Sequence, residues 1–175
     1  MNILVILEDN HGSVHKMSIE AIVAAQSLNG SISAIVIGEN HKDLASEVSN
    51  FNLKEILTID DPLVESYSAD GYTELLNHII NQKKPDLIIC GHTYQTRDYI
   101  PRISARNDIP FIPDVIEIKG NLYIKQVLNS KLNASYSSDS GTLIISVQSA
   151  AFNAEDIEKG APQVNPLEIR INPIK

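Results

Sequence analysis

The stretch Asp86-Leu87-Ile88-Ile89-Cys90-Gly91-His92-Thr93-Tyr94-Gln95-Thr96-Arg97-Asp98-Tyr99-Ile100-Pro101-Arg102-Ile103-Ser104-Ala105 decides the fold class. Leu87 to Cys90 is an unbroken apolar run, the pattern of a strand buried on both faces. It stops at Gly91-His92-Thr93. A helix start follows, with Asp98 available as N-cap and Pro101 in the first turn, where a missing N–H costs little. Strand, short loop and helix in that order form a corner of an α/β sheet. In such sheets ligands bind outside the carboxyl ends of the parallel strands.

The same rhythm runs back to the start of the chain. Asn2–Leu7 reads as a first strand, apolar from Ile3 onward. Ser13 is placed to cap a helix reaching about Leu28, with Met17, Ala21, Ala24, Ala25 and Leu28 on one stripe and Asn29-Gly30 at its end. Ser33–Ile37 is a second strand, Lys42–Phe51 a short helix and Glu55–Ile59 a third strand. Tyr72, Leu75, Leu76, Ile79 and Ile80 mark a helix capped by Asp70 and stopped by Pro85. Asp86–Cys90 is the fourth strand, and the helix after it runs from about Asp98 to Arg106. The expected fold is a three-layer α/β/α domain with a mostly parallel sheet.

After Ile109 helices cease. Val115–Ile118, Leu122–Leu128, Ala134–Ser137 and Leu143–Gln148 read as strands that extend the sheet, partly antiparallel, with turns at Gly120-Asn121 and Ser138-Asp139-Ser140-Gly141. Residues 1–160 are taken as a single α/β domain. Residues 161–175, punctuated by prolines and carrying an alternating segment at Leu167–Ile171, are taken as a tail.

The 175 residues suffice for one domain with a real core. The formal charge of −8 argues against nucleic acid and anionic membrane surfaces as partners. No apolar run approaches the length of a membrane span, and Ile3–Leu7 is too short for a signal sequence. The single cysteine, Cys90, fits a reducing compartment and reads as a small buried hydrophobe.

Chemistry-bearing patterns are sparse. There is no Gly-x-Gly-x-x-Gly and no phosphate loop, and Glu8-Asp9 in the loop after the first strand would repel a phosphate. His11 and His15, beside Glu8 and Asp9, are read as solvated loop histidines and not as metal ligands. Thr93, Thr96, Arg97 and Arg102 cluster at the fourth-strand corner. An anion contact through Arg97 and the helix amino terminus is one reading. Arginines paired with acids such as Asp98 or Asp114 is the favoured one, with Arg102 expected to bridge to Asp114. No serine or cysteine is set with a histidine and an acid as a nucleophile. The expectation is no catalytic residue, no metal ligand and no cofactor-binding residue, hence a binding or scaffold domain.

The opening Ile3-Leu4-Val5-Ile6-Leu7-Glu8 with Gly12-Ser13, the strand Ser33–Gly38, and His92-Thr93 through Arg97-Asp98 to Pro101-Arg102-Ile103-Ser104-Ala105 resemble the amino-terminal domain of the electron transfer flavoprotein alpha subunit. So do Asp114-Val115-Ile116-Glu117-Ile118 and Ala151-Phe152. The resemblance covers essentially the whole chain and implies an adenine-nucleotide hydrolase-like fold. It implies a non-catalytic carrier role, in a heterodimer with a beta subunit that moves electrons on FAD from flavin dehydrogenases to a membrane quinone reductase. It also implies residence in the bacterial cytoplasm or an organelle matrix. The family's flavin-holding half begins with a Gly-Gly-Arg-Gly segment. The sequence stops at Lys175 ahead of it, so FAD is expected in the intact heterodimer and not on this domain. Lys125 through Lys131 stand where the family has Arg-Pro-Ile-Tyr-Ala-Gly-Asn, and Gln148 where it has arginine. The departures at Lys125, Ser130, Lys131 and Gln148 lie in the later strands, where the family meets its partner or its own second domain. The alternative is a free-standing nucleotide-binding domain of the universal-stress-protein kind.

Overall fold

The computed structural model describes residues 1–169. Nine strands form one sheet, in the order β11 (Gln163–Pro166), β5 (Glu55–Ile59), β4 (Ser31–Ile37), β1 (Asn2–Leu7), β6 (Leu87–Gly91), β10 (Leu143–Val147), β7 (Phe111–Lys119), β8 (Leu122–Val127), β9 (Leu132–Tyr136). From β11 to β7 every neighbouring pair is parallel, whereas β8 and β9 each run antiparallel to the strand before. A two-stranded hairpin, β2 (Asp9–Asn10) and β3 (Ser13–Val14), stands apart.

Alternation along the strands builds two cores. Ile3, Val5, Leu7, Leu87 and Ile89 point to one face and meet Ala21, Ile22 and Ala25 of α1 (Lys16–Gln26) and Leu44 of α2 (His41–Glu47). Leu4, Ile6, Ile88 and Cys90 point to the other and meet Leu75, Leu76 and Ile79 of α3 (Ala69–Lys83) and Tyr99, Ile100 and Ile103 of α4 (Tyr94–Asn107). Each fully buried Leu or Ile contributes about 1.5–3 kcal/mol. Because both faces are covered, the central strands read as continuous apolar runs. The three-layer α/β/α arrangement and the parallel core expected from the sequence are what the structure has.

Helix starts differ from the sequence reading. Thr93, not Asp98, caps α4, so the helix begins four residues earlier and Pro101 lies in its middle. Pro101 is exposed there, where water can serve the Arg97 carbonyl that it leaves without a donor. His15 caps α1 through Nδ1, which accepts from the Met17 N–H at 3.1 Å, while Ser13 belongs to the hairpin. Ser68, not Asp70, caps α3. Gly30 lies beyond the end of α1; its role is close approach, since a Cβ there would sit 2.8 Å from Ile3. Helix α2 stops at Glu47, short of Phe51.

The late strands extend the sheet as expected, with Gly120 at φ 61° in the β7–β8 turn. Within the segment read as a tail, Gln163–Pro166 pairs in parallel with β5, and Asn165 donates to the Glu55 carboxylate at 2.9 Å. The last part of the alternating segment, 170–171, lies outside the described residues.

Candidate functional site

Strand order reverses beside β1: the chain moves outward through β4 and β5, then returns to place β6 on the other side. A crevice outside the carboxyl ends of β1 and β6 is where a sheet of this type takes its ligand. Here the two ends are Leu7-Glu8 and Gly91-His92-Thr93.

Gly91 is required by packing. A Cβ on it would lie 2.7 Å from Met17 Cβ, so the end of β6 is pressed against the first turn of α1. Thr93 and Thr96 then form a capping box. Thr93 Oγ1 accepts from the Thr96 N–H at 3.1 Å, and the Thr93 N–H donates to Thr96 Oγ1 at 2.9 Å. Thr96 Oγ1 in turn donates to the Gly91 carbonyl at 2.6 Å. The Thr93 hydroxyl has one proton left to give, and it gives it to the Glu8 carboxylate, 85 residues away in the chain. Glu8 is held by its own N–H, which donates to Ser18 Oγ at 2.9 Å. The carboxylate therefore sits at the amino terminus of α4, the place where helix dipole and free N–H groups favour an anion. The protein supplies that anion itself.

Next to this contact a groove of about 640 Å³ is lined by Glu8, Asp9, Glu65, Tyr67 and Tyr72, among others, and by no lysine or arginine. Asp9 accepts from the Gly12 N–H and from Asn40 Nδ2, each at 2.6 Å. The Tyr72 phenol is pushed up to about 12 by burial and by the charges of Asp9 and Glu8. Tyr67 is pushed up further, by burial and by donating to Asp98 Oδ2 at 2.8 Å.

On the other side, His92 is half-buried with Nδ1 2.8 Å from Ser146 Oγ, which also accepts from the Asp114 N–H at 3.2 Å. Burial lowers the His92 pKa and the nearby Asp114 works against that, while Arg97 and Lys125 add to it. Asp114 has φ 63°, at a register shift between β10 and β7, and its carboxylate accepts from Gln148 Nε2 at 3.1 Å.

The predicted Arg102–Asp114 bridge does not form. Arg102 lies on the outer face of α4, where it reaches Asp70 of α3 at 2.9 Å and Asp98, one turn away, at 3.2 Å. Asp114 is taken by Gln148 instead. Among the described residues Arg97 pairs with no acid; its guanidinium lies 5.7 Å from the centre of the exposed Tyr94 ring. Cys90 is buried, its thiol pushed far up by desolvation. His11 sits in the hairpin turn at φ 55° and His15 at the α1 cap. Among the described residues no three His, Cys, Asp or Glu side chains gather as a metal site. The Glu8–Thr93 contact escaped sequence reading because nothing local links the two; the Thr93-x-x-Thr96 spacing was the available signal for the cap.

Comparison with known proteins places this corner in a family. A family model described as the electron transfer flavoprotein domain matches residues 3–169, and folds of that domain are of the nucleotide-hydrolase type. The electron transfer flavoprotein subunit alpha of Bacillus subtilis (strain 168) is 32% identical over 118 residues, which cover 66% of this chain and 36% of that protein. The probable mitochondrial electron transfer flavoprotein subunit alpha of Schizosaccharomyces pombe is 22% identical over 156 residues, 87% of this chain and 46% of that protein. The acryloyl-CoA reductase electron transfer subunit beta of Anaerotignum propionicum is 26% identical over 129 residues, 70% and 35%. The chain thus spans a third to a half of the length of these relatives. It belongs to the electron transfer flavoprotein domain family, as an amino-terminal domain of the alpha-subunit kind.

Proposed function

We propose that this domain acts as the docking part of an electron transfer flavoprotein alpha subunit. It holds a beta subunit through its late strands, in a heterodimer that carries electrons on FAD from flavin dehydrogenases toward a membrane quinone reductase. The observation that carries this reading is the β8–β9 ribbon. Strand β9 is half-exposed or exposed along its whole length, on both faces. Leu122, Leu128, Leu132 and Tyr136 are 39%, 68%, 57% and 41% exposed, far more apolar surface than an edge hairpin needs. Leu128, Asn129 and Ser130 all have positive φ, at 53°, 54° and 63°. Holding a leucine outward in the left-handed region costs about 1–2 kcal/mol, a cost that makes sense if a partner covers it. Lys125, Ser130 and Lys131, where this chain departs from the family, lie in the same ribbon.

Redox chemistry in this reading belongs to the flavin, and we place the flavin outside this domain. A flavin diphosphate needs inward-pointing N–H groups and close backbone approach. At the switch point the N–H groups of Thr93 and Thr96 are taken by each other's hydroxyls, the Thr93 hydroxyl is taken by Glu8, and the adjoining groove is acidic. The same contact argues against the alternative, a nucleotide binder of the universal-stress-protein kind. The reading carries with it the bacterial cytoplasm as the site of action, or an organelle matrix as for the relative named mitochondrial. No described helix is long and apolar enough to cross a membrane.

Size-exclusion chromatography of this chain mixed with the beta subunit of the same organism tests the proposal. A single peak at the heterodimer mass is expected; separate elution at micromolar concentrations overturns it.

A further inference from the structure

The sheet has two edges, and they are built differently. At one, β11 is four residues long, follows Pro162 and ends in Pro166. Proline removes a backbone donor and blunts an edge against further pairing. At the other, β9 carries none of these guards. Leu132-Asn133-Ala134-Ser135-Tyr136 contains no charge and no proline, and its pairing with β8 runs without a bulge. Among the described residues no strand pairs with its outer side, and all five residues are exposed or half-exposed. In a chain of formal charge −8, a bare and neutral edge is a template for another strand.

We propose that the outer edge of β9 pairs antiparallel with the same edge of a second copy, as a weak, reversible homodimer with its two-fold axis at Ala134. This goes beyond the docking reading and stands without it.

The order of residues in the strand fixes both partner and register. A two-fold axis sets each residue against the one equally far from the axis on the other side. Centred on Ala134 it pairs all five residues of β9; a centre one residue away pairs only the three residues 132–134 or 134–136. Leu132 then stands opposite Tyr136 of the second copy, Asn133 opposite Ser135, and Ala134 opposite Ala134. Apolar meets apolar on one face of the sheet and polar meets polar on the other, as the pleat demands. No like charges are opposed. Lys131 before the strand and Asp139 after it have opposite signs, and antiparallel pairing brings the start of one strand to the end of the other. The joined apolar face continues across β8, where Val127 and Tyr123 stand opposite Leu132 and Tyr136. An edge of five residues buries little area, which puts the association at the weak end of the specific range.

The test is sedimentation velocity of the chain from about 10 µM to about 1 mM, with amide NMR spectra along the same dilution series. A monomer–dimer equilibrium is expected, with concentration-dependent shifts confined to 130–138. Asn133 and Ser135 are both exposed. Asn133→Lys/Ser135→Lys sets like charges opposite each other twice across the axis, and so does Asn133→Glu/Ser135→Glu. Each is expected to weaken self-association at least about tenfold, and their equimolar mixture to restore it, since every opposed pair is then of opposite sign. If either variant fails to fold, Asn133→Lys/Ser135→Glu keeps the test open: it opposes unlike charges in the homodimer and is expected to associate at least as tightly as the parent. The proposal is overturned if the chain stays monomeric at about 1 mM, or if the shifts map elsewhere. It is overturned equally if a like-charge variant associates as the parent does, or if mixing restores nothing. A monomeric chain whose Asn133→Lys/Ser135→Lys variant no longer binds the beta subunit of the same organism overturns it in favour of that subunit as the occupant of the edge.

Discussion

Removing the Glu8 carboxylate tests whether the chain closes its own ligand corner. Glu8 accepts the Thr93 hydroxyl at the amino terminus of α4. A hydrogen bond to a charged group contributes about 1.5–3 kcal/mol, and the half-buried setting of Glu8 favours the lower end. A carboxylate at a helix amino terminus adds about 0.3–1 kcal/mol. Glu8→Ala is therefore expected to cost about 2–3 kcal/mol. At about 2–4 °C per kcal/mol for a domain of this size, the melting temperature falls by about 4–12 °C. Glu8→Gln keeps an acceptor and loses the charge, so about half that loss is expected. Thr93→Ala removes the cap and the same contact, and a double-mutant cycle with Glu8→Ala isolates the pair. A coupling of about 1–2 kcal/mol is expected from the charged hydrogen bond. Calorimetric melts at fixed pH measure the parent and the four variants. An unchanged melting temperature for Glu8→Ala, or strictly additive losses, would refute the reasoning.

Three further outcomes follow from the same structure. Burial would raise the Glu55 pKa, but hydrogen bonds from Asn165 and Ser33 and the Lys83 ammonium outweigh it and hold the group below 4.5. Its contribution is then present above about pH 4.5 and lost as pH falls through the lower folded value; Glu55→Gln should flatten that acid limb in melts between pH 5 and pH 3, and an unchanged slope counts against it. Gly91→Ala drives a Cβ to 2.7 Å from Met17 Cβ and should destabilise by about 1–3 kcal/mol in urea unfolding, whereas a neutral result would mean that β6 and α1 can part freely. Millimolar AMP or ATP should leave the melting temperature unchanged, and a rise of several degrees would favour the stress-protein-like reading, since ligand at a hundredfold excess over its Kd adds about 2.7 kcal/mol.

The layers were legible in the sequence because the parallel strands are buried on both faces and read as apolar runs of one kind, from Ile3–Leu7 to Leu87–Cys90. Helix caps were less so. Asp98 with Pro101 mimics a helix start, yet Thr93 and Thr96 satisfy each other and open the helix four residues earlier. Pairings across the chain left no local trace: Glu8 with Thr93, Asp114 with Gln148, Arg102 with Asp70. The Arg102 expectation failed because Asp114, in a left-handed conformation beside β10, is held by Gln148, while Arg102 on α4 is taken by Asp70 and Asp98. The β11 pairing was hidden for a similar reason. Gln163–Pro166 alternates too weakly to announce a strand, and its place depends on the open edge of β5 and on the Glu55 carboxylate that receives Asn165.

The ribbon is the most direct test of the docking account. Titration calorimetry of the beta subunit of the same organism into this chain, and into the Leu128→Asp/Leu132→Asp double variant, measures it. Both positions are exposed, at 68% and 57%, so the variant should melt like the parent. The account predicts tight association for the parent and at least about a hundredfold weaker binding for the variant, the loss of two buried apolar anchors at a protein interface. Equal affinity for the two proteins would contradict it.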